Sequence, residues 1–232
     1  MKICIILPTF NEKGNVFNIF QKIKKTKIKS DILFIDDNSF DGTRDEIINL
    51  KKKNKQINFI FRKKRLGIGS AHKEGITYCY KKNYDLIITM DADGTHDPRY
   101  LKTMIKLSKN FDYIITSRFI KKNLMVGWPF HKLIITFLRY IIVKNFLGLN
   151  LDTSGAFRCF LKRKIKLKDI NLASSNDYAF FWELTYILFK KKYTIKEIPV
   201  KLVYRKLGKS KMNFFHILHS LTYLFKIKFK KI

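Results

Sequence analysis

Acidic residues are scarce in this chain: 18 Asp and Glu stand against 48 Lys and Arg, a formal charge of +30. Such an imbalance points to a polyanionic partner, whether nucleic acid, an anionic membrane or a phosphorylated substrate. The lysines run along nearly the whole length instead of massing in one tail, so part of the excess is a solvated background. Cysteine is also rare. Cys4, Cys79 and Cys159 stand far apart with no C-x-x-C spacing, which gives no support for a zinc site or a disulfide framework and makes a reducing compartment the expectation. Only 4 prolines and 10 glycines occur. No linker rich in Pro, Gly or Ser divides the chain, and no internal repeat is visible. Long apolar runs are missing as well. Ile3 to Leu7 is too short for a signal-peptide core. The most apolar stretch, Leu133 to Leu151, is broken by Arg139, Lys144 and Asn145, whereas a spanning helix needs roughly 20 predominantly apolar residues.

What is present is enough for one sizeable core, with 46% hydrophobic and 15% aromatic residues over 232 positions. Short apolar runs at Lys2 to Leu7, Ile32 to Ile35, Ile57 to Phe61, Leu86 to Met90 and Tyr113 to Thr116 read as buried strands. Between them, Val16 to Lys25, Arg44 to Lys53, Gly69 to Lys82 and Tyr100 to Ser108 read as helices. This alternation predicts an α/β fold, a mostly parallel sheet flanked by helices. Ligands of such sheets bind beyond the carboxyl ends of the strands. Carboxylates gather there, in Pro8 to Glu12, Asp36 to Asp41 and Asp91 to Asp97. After Arg118 the alternation fades into an amphipathic segment, a Gly155 to Phe160 stretch, a helix around Phe180 to Phe189 and a basic tail.

The sharpest local signal is Asp91-Ala92-Asp93, directly after an apolar strand. Two carboxylates at i and i+2 on a strand end can reach one hard cation and a sugar or ribose hydroxyl, and Mg²⁺ commonly takes one or two carboxylates plus substrate phosphates. Asp36-Asp37-Asn38-Ser39 has the same placement. Asp41 and Thr43 fit a helix cap, while Asp36 and Asp37 exceed what one cap needs, leaving a carboxylate for a base or ribose edge. Among the histidines, His96 alone sits beside a carboxylate block.

Taken in order, Leu7-Pro8-Thr9-Phe10-Asn11-Glu12, the Asp-Asp-Asn-Ser block, Leu66-Gly67-Ile68-Gly69, the Asp-Ala-Asp block and Thr116-Ser117-Arg118 resemble family 2 glycosyltransferases of GT-A (Rossmann-like) fold. Asp152-Thr-Ser-Gly-Ala-Phe-Arg158, Glu183, and Arg205 with Gly208-Lys-Ser-Lys211 further resemble the polyprenol or dolichol phosphate mannosyltransferases of that family. The resemblance implies that Pro8, Phe10, Glu12, Ile35 and Asp37 line a nucleotide pocket. Asp91, Ala92 and Asp93 hold the diphosphate, with a Mg²⁺ or Mn²⁺ on Asp93 and Thr95, and Arg205 and Lys211 close over it. Thr95 stands where the family often has Gln or Ser. Arg118 faces the acceptor phosphate, and Lys132 and Thr136 occupy positions where the family commonly has Arg and Ser. Lysine keeps the charge there but loses the planar two-pronged grip.

The implied reaction is inverting transfer of a sugar, with GDP-mannose as the leading donor and UDP-glucose as a further one, to a polyprenyl monophosphate. The implied organisation is a catalytic domain over residues 1–212 and a basic amphipathic helix over 213–232. That tail carries Phe214, Phe215, Ile217, Leu218, Leu221, Leu224 and Phe225 on one face, then Lys226, Lys228, Lys230 and Lys231. It suits a peripheral position on the cytoplasmic face of an anionic membrane, alone or beside a small integral-membrane partner; a core-packed helix is the plainer reading. Two other functions stay open. A polysaccharide or glycolipid hydroxyl acceptor would call for a carboxylate base such as Asp177 or Glu183. Nucleic-acid binding is suggested by charge alone and has no motif behind it.

Overall fold

The structure, a computed structural model, describes residues 1–122, 124–204 and 223–229. Its centre is a seven-stranded sheet in the order β3-β2-β1-β4-β7-β5-β8. The strands are β1 (Ile3–Thr9), β2 (Asp31–Asp36), β3 (Ile57–Phe61), β4 (Leu86–Thr89), β5 (Tyr113–Ser117), β7 (Arg158–Leu161) and β8 (Ile195–Pro199); β6 (Met125–Val126) and β9 (Leu202–Val203) form a separate parallel pair. The helices are α1 (Asn15–Lys25), α2 (Thr43–Lys53), α3 (Ile68–Lys81), α4 (Leu101–Leu107), α5 (Phe130–Leu147), α6 (Leu167–Ile170) and α7 (Ala179–Lys190).

The central strands are covered on both faces, which is why they read as unbroken apolar runs. Along β1, Cys4 and Ile6 enter a core shared with α3 and α7, while Ile3, Ile5 and Leu7 enter one shared with α1, α2 and α4. Alternation of side chains across a strand sorts them this way. Close approach of α3 depends on Gly75, where a Cβ would stand 2.6 Å from a methyl of Ile6. All three cysteines are buried and unpaired.

From β1 the chain winds outward through β2 to β3, then returns to β4 on the other side of β1. Such a reversal opens a crevice at the carboxyl ends of the two strands where it occurs. Pro8 to Glu12 leave β1 there and Asp91 to Asp93 leave β4 there. β7 runs antiparallel between β4 and β5, pairing Thr89 and Ile115 with Arg158. Its first residue therefore lies at the end where its neighbours finish, which delivers Asp152 to Phe157 into the same crevice.

The five strands and four helices expected in the first half are present, with ends shifted by a residue or two. The sequence reading did not assign β6, β7, β8 or β9. β7 is only four residues long and β8 (Ile-Lys-Glu-Ile-Pro) is a half-exposed edge, so neither carries the long apolar run that marked the others. The amphipathic segment is α5. Its Thr136, Val143 and Leu147 are buried, while Phe130, Ile134, Phe137, Leu138 and Ile142 are exposed. Arg205, Lys211 and most of the tail lie outside the described residues. Within residues 223–229, Leu224 and Ile227 are buried in the core shared with α3 and α7, and the Phe225 ring meets Phe146 of α5 edge-on at 5.0 Å.

Candidate active site

One side of the candidate site is built from loops that carboxylates tie together. Asp36, fully buried at the end of β2, accepts hydrogen bonds from Thr9 Oγ1 at 3.0 Å, Ser39 N at 3.0 Å and Arg44 Nε at 2.6 Å. This stitches the loop after β1 to the loop after β2. Asp37 accepts from the backbone N–H groups of Leu66 at 2.8 Å and Gly67 at 2.9 Å, and pairs with Arg62 at 3.0 Å. Gly67 has φ 94°, and a Cβ on it would lie 2.5 Å from the carbonyl of Asn176. Only glycine fits both the dihedral and the contact.

These loops enclose a cavity of about 110 Å³ lined by Pro8, Phe10, Glu12, Asp37, Asp91, Ala92 and Asp93, with Arg65, Asp177 and Tyr178 opposite. Seven residues expected from separate motifs thus share one wall. Ile35 does not join them, because it is fully buried in β2 and packs in the core. Arg65 went unnoticed in the sequence; its guanidinium lies 4.3 Å above the Phe10 ring, a cation on an aromatic face at the cavity mouth. The basic run Arg62-Lys-Lys-Arg65 immediately after β3 was the available signal.

Asp91 and Asp93 face a second cavity as well. Asp91 N–H donates to His96 Nδ1 at 2.9 Å, so the neutral ring carries its proton on Nε2. Burial holds the His96 pKa down to about 4, against the pull of Asp93. Asp93 Oδ1 accepts from Thr95 N at 3.0 Å and Thr95 Oγ1 at 2.7 Å. The donor set is all hard oxygen, as Mg²⁺ or Mn²⁺ requires. Among the described residues no group of three or more His, Cys, Asp or Glu could hold a metal ion. The two carboxylates and the Thr95 hydroxyl are the kind of oxygen donors that share a Mg²⁺ or Mn²⁺ with substrate phosphates and water.

The second cavity, about 430 Å³, is lined by Asp91, Asp93, Thr95, His96, Arg118, Lys132, Thr136, Arg139 and Ser154, with Ile135, Trp128 and Tyr204 among its apolar walls. Here guanidiniums replace carboxylates. Arg118 is buried and grips Asp152 with two bonds, Nε to Oδ2 at 2.8 Å and Nη2 to Oδ1 at 2.7 Å. The pair holds Asp152 down to about 2, against burial that pushes the other way. Arg158, buried without a carboxylate partner among the described residues, donates to Gly155 O at 2.7 Å, to Tyr113 and Thr185 hydroxyls at 2.8 and 2.7 Å, and to Thr153 O. It fixes the loop that carries Ser154. Glu183, a candidate base in the sequence, is buried on α7 and accepts from Ser174 N at 2.9 Å and Ser175 N at 2.8 Å. It organises a loop and does not line either cavity. Asp177 does line the donor cavity.

The sequence profile described as glycosyl transferase family 2 matches residues 4–168. The chain belongs to that family. This glycosyltransferase is 29% identical over 214 residues to the undecaprenyl-phosphate mannosyltransferase of Micrococcus luteus, covering 92% of this chain and 88% of that one. It is 26% identical to the polyprenol monophosphomannose synthase of Mycolicibacterium smegmatis, covering 90% and 80%. Among solved structures, a mannosyltransferase from Pyrobaculum calidifontis in complex with GDP-Man and Mn²⁺ superposes with a TM-score of 0.58 at 15% identity, covering 96% of this chain and 69% of that one. TarS from S. aureus in complex with UDP-GlcNAc superposes with 0.60 at 18%, covering 90% and 60%. The shared architecture is the GT-A fold.

Proposed function

We propose that this glycosyltransferase moves mannose from GDP-mannose to a polyprenyl monophosphate, with inversion at the anomeric carbon, on the cytoplasmic face of a membrane. The observation that carries this reading is the cationic cavity around Arg118, Lys132 and Thr136, which meets the carboxylate-lined cavity at Asp91 and Asp93. The names of the two mannosyl-transferring relatives support the donor and acceptor classes.

A phosphate monoester has its second pKa near 6, so its nucleophilic oxygen is ionised at neutral pH and needs no general base. A lone pair on that oxygen forms the new bond to the anomeric carbon, and the bond to the nucleoside diphosphate breaks with its electron pair on the leaving oxygen. No proton moves. The protein's work is alignment and charge stabilisation. Arg118 and Lys132 hold the acceptor phosphate, Thr136 donates to it, and Glu12 and Asp37 shape the nucleotide's seat. Asp91, Asp93 and Thr95 would hold Mg²⁺ or Mn²⁺, which supplies positive charge to the departing diphosphate. Arg205 and Lys211, outside the described residues, are assigned to the same diphosphate.

For membrane attachment, no helix among the described residues is long and apolar enough to cross a bilayer. The exposed Phe130, Ile134, Phe137, Leu138 and Ile142 of α5, and the lysines of the 213–232 tail, suit peripheral binding to anionic lipid.

Incubation of the purified protein with GDP and UDP sugars, Mg²⁺ or Mn²⁺ and a polyprenyl phosphate tests the reading. The expected product is a metal-dependent lipid phosphate mannose. Transfer to a glycan hydroxyl with no prenyl product would overturn it. That second reading has one observation in its favour, the carboxylate of Asp177 in the donor cavity.

A further inference from the structure

The acceptor cavity is lined by the cations Arg118, Lys132 and Arg139 as well as by Asp91 and Asp93, and among the described residues Arg118 alone of the three cations has an ion pair. Arg118 has committed the Nε and Nη2 edge of its guanidinium to Asp152, and Nη2 also donates to Ser154 Oγ. Arginine grips a carboxylate or phosphate through either of two planar forks, the Nη1–Nη2 end or this edge. Here a protein carboxylate already occupies the edge. Lys132 brings a point charge without a fork.

Arg139 is the remaining guanidinium lining the cavity. It lies seven residues after Lys132 and three after Thr136, a spacing that puts all three on one face of α5. Among the described residues its hydrogen bond is Nη2 to Ser154 Oγ at 2.9 Å, and it makes no ion pair. Ser154 Oγ in turn donates to Asp152 Oδ1 at 3.1 Å, so one hydroxyl links both arginines to the same carboxylate. Burial and the neighbouring Arg118 push the Arg139 pKa down to about 10. Asp152 pulls the other way but is already bonded to Arg118. Ile135 shares the cavity wall and is 42% exposed, which gives an apolar chain a way out along α5.

We propose that Arg139 adds a planar, two-pronged contact to the acceptor phosphate held by Arg118 and Lys132, and that Asp152 and Ser154 set the aim of both arginines. This rests on the phosphomonoester acceptor proposed above and names a further residue that recognises it. The ligand class is a phosphate monoester dianion carrying an apolar chain.

The test uses Arg139→Lys and Arg139→Gln in the full chain, with farnesyl phosphate as acceptor and nucleotide-sugar binding measured separately by titration calorimetry. Loss of a charge-assisted fork should lower kcat/KM for farnesyl phosphate about 100-fold in Arg139→Gln and about tenfold in Arg139→Lys. The change should fall mainly on the acceptor KM, with donor affinity within about twofold of the parent. A merely structural role would move donor affinity and thermal midpoint along with acceptor use. An unchanged acceptor KM in Arg139→Lys, in a protein that otherwise uses farnesyl phosphate, overturns the proposal. If Arg139→Gln fails to fold, the lysine variant decides alone. A parent protein that makes no farnesyl phosphate sugar overturns the acceptor reading itself, which is a distinguishable failure.

Discussion

In the donor cavity the charged groups are mainly carboxylates, and those of Asp37 and Asp93 accept from backbone N–H groups of the adjoining loops. In the acceptor cavity the cations Arg118, Lys132 and Arg139 join Asp91 and Asp93 in the lining, and Arg118 is paired with the buried Asp152. The first arrangement ties the loops after β1, β2 and β3 together through Asp36 and Asp37, by bonds that span 27 to 30 residues. The second joins elements far apart in the chain, since Arg118 follows β5, Asp152 and Ser154 precede β7, and Lys132, Thr136 and Arg139 sit on α5. Substitutions at Asp91 and Asp93, outside the Asp36 and Asp37 ties, should therefore act on chemistry with modest cost to the fold. Those on the acceptor side couple recognition to stability, because the cavity's anion holder is also a buried ion pair.

The largest expected effect is on the donor side. Asp93→Asn should lower transfer by about a hundredfold to a thousandfold, as loss of a charged group acting on the leaving diphosphate costs on the order of 3 to 4 kcal/mol in the transition state. The thermal midpoint should change little. Rates with and without Mn²⁺ check it, and equal rates for parent and variant in saturating metal would remove Asp93 from the diphosphate site.

On the acceptor side the largest effect should be on stability. Arg118→Ala leaves Asp152 buried without its partner, a change that costs about 3 to 5 kcal/mol. Urea midpoints should show the drop, whereas an unaltered midpoint would mean the pair is not formed in solution. The same pair predicts acid sensitivity. Asp152 has a folded pKa of about 2, below its unfolded value of about 3.9, so its contribution is fully present above pH 4 and is lost as the pH falls through 2. Asp152→Asn should flatten that part of the stability profile.

A smaller effect distinguishes the two acceptor readings. With a phosphate acceptor, Asp177→Asn should change kcat by less than about threefold, since no base is needed, while a hydroxyl acceptor would make the loss about a hundredfold or more. Initial rates at saturating substrates separate the cases. Glu183→Gln should act on the melting temperature and not on the pH–rate profile, in keeping with its bonds to Ser174 and Ser175.

The smallest effect concerns the surface. Ile134→Asp with Phe137→Asp on α5 should weaken sedimentation with anionic vesicles several-fold and leave transfer to farnesyl phosphate within about twofold, because both side chains are exposed. Unaltered vesicle binding would shift attachment to the tail.

The donor side was legible in the sequence because each of its residues sits within a few positions of an apolar strand whose end marks the crevice. Pro8, Phe10, Glu12, Asp37 and Asp91 to Asp93 follow directly from that rule. Ile35 was misleading to an eye guided by motif position: it lies within β2, fully buried, and packs in the core instead of lining the cavity. The acceptor side was only half legible. Arg118 and Lys132 carried family signals, but Arg139 looked like an interruption in an apolar helix until α5 was seen against Ser154. Arg158 stood at the end of the Asp152 to Arg158 motif, but β7 was hidden, since a short antiparallel strand has no periodicity of its own and gains its meaning from neighbours more than forty residues away in sequence.

The position of β7 also governs the order in which the molecule can be made. β4 and β5 emerge from the ribosome well before residues 158–161, and in the finished sheet they do not pair with each other but with the strand between them. Until that strand arrives, each keeps an edge of unpaired backbone groups, the kind of edge that recruits other chains. Strands β1 to β4 with α1 to α3 can begin to assemble from neighbours in sequence, but both cavities wait for the long return, which brings Ser154 to one and Asp177 and Tyr178 to the other. The interval before it is the stretch of synthesis in which the protein is most exposed to aggregation.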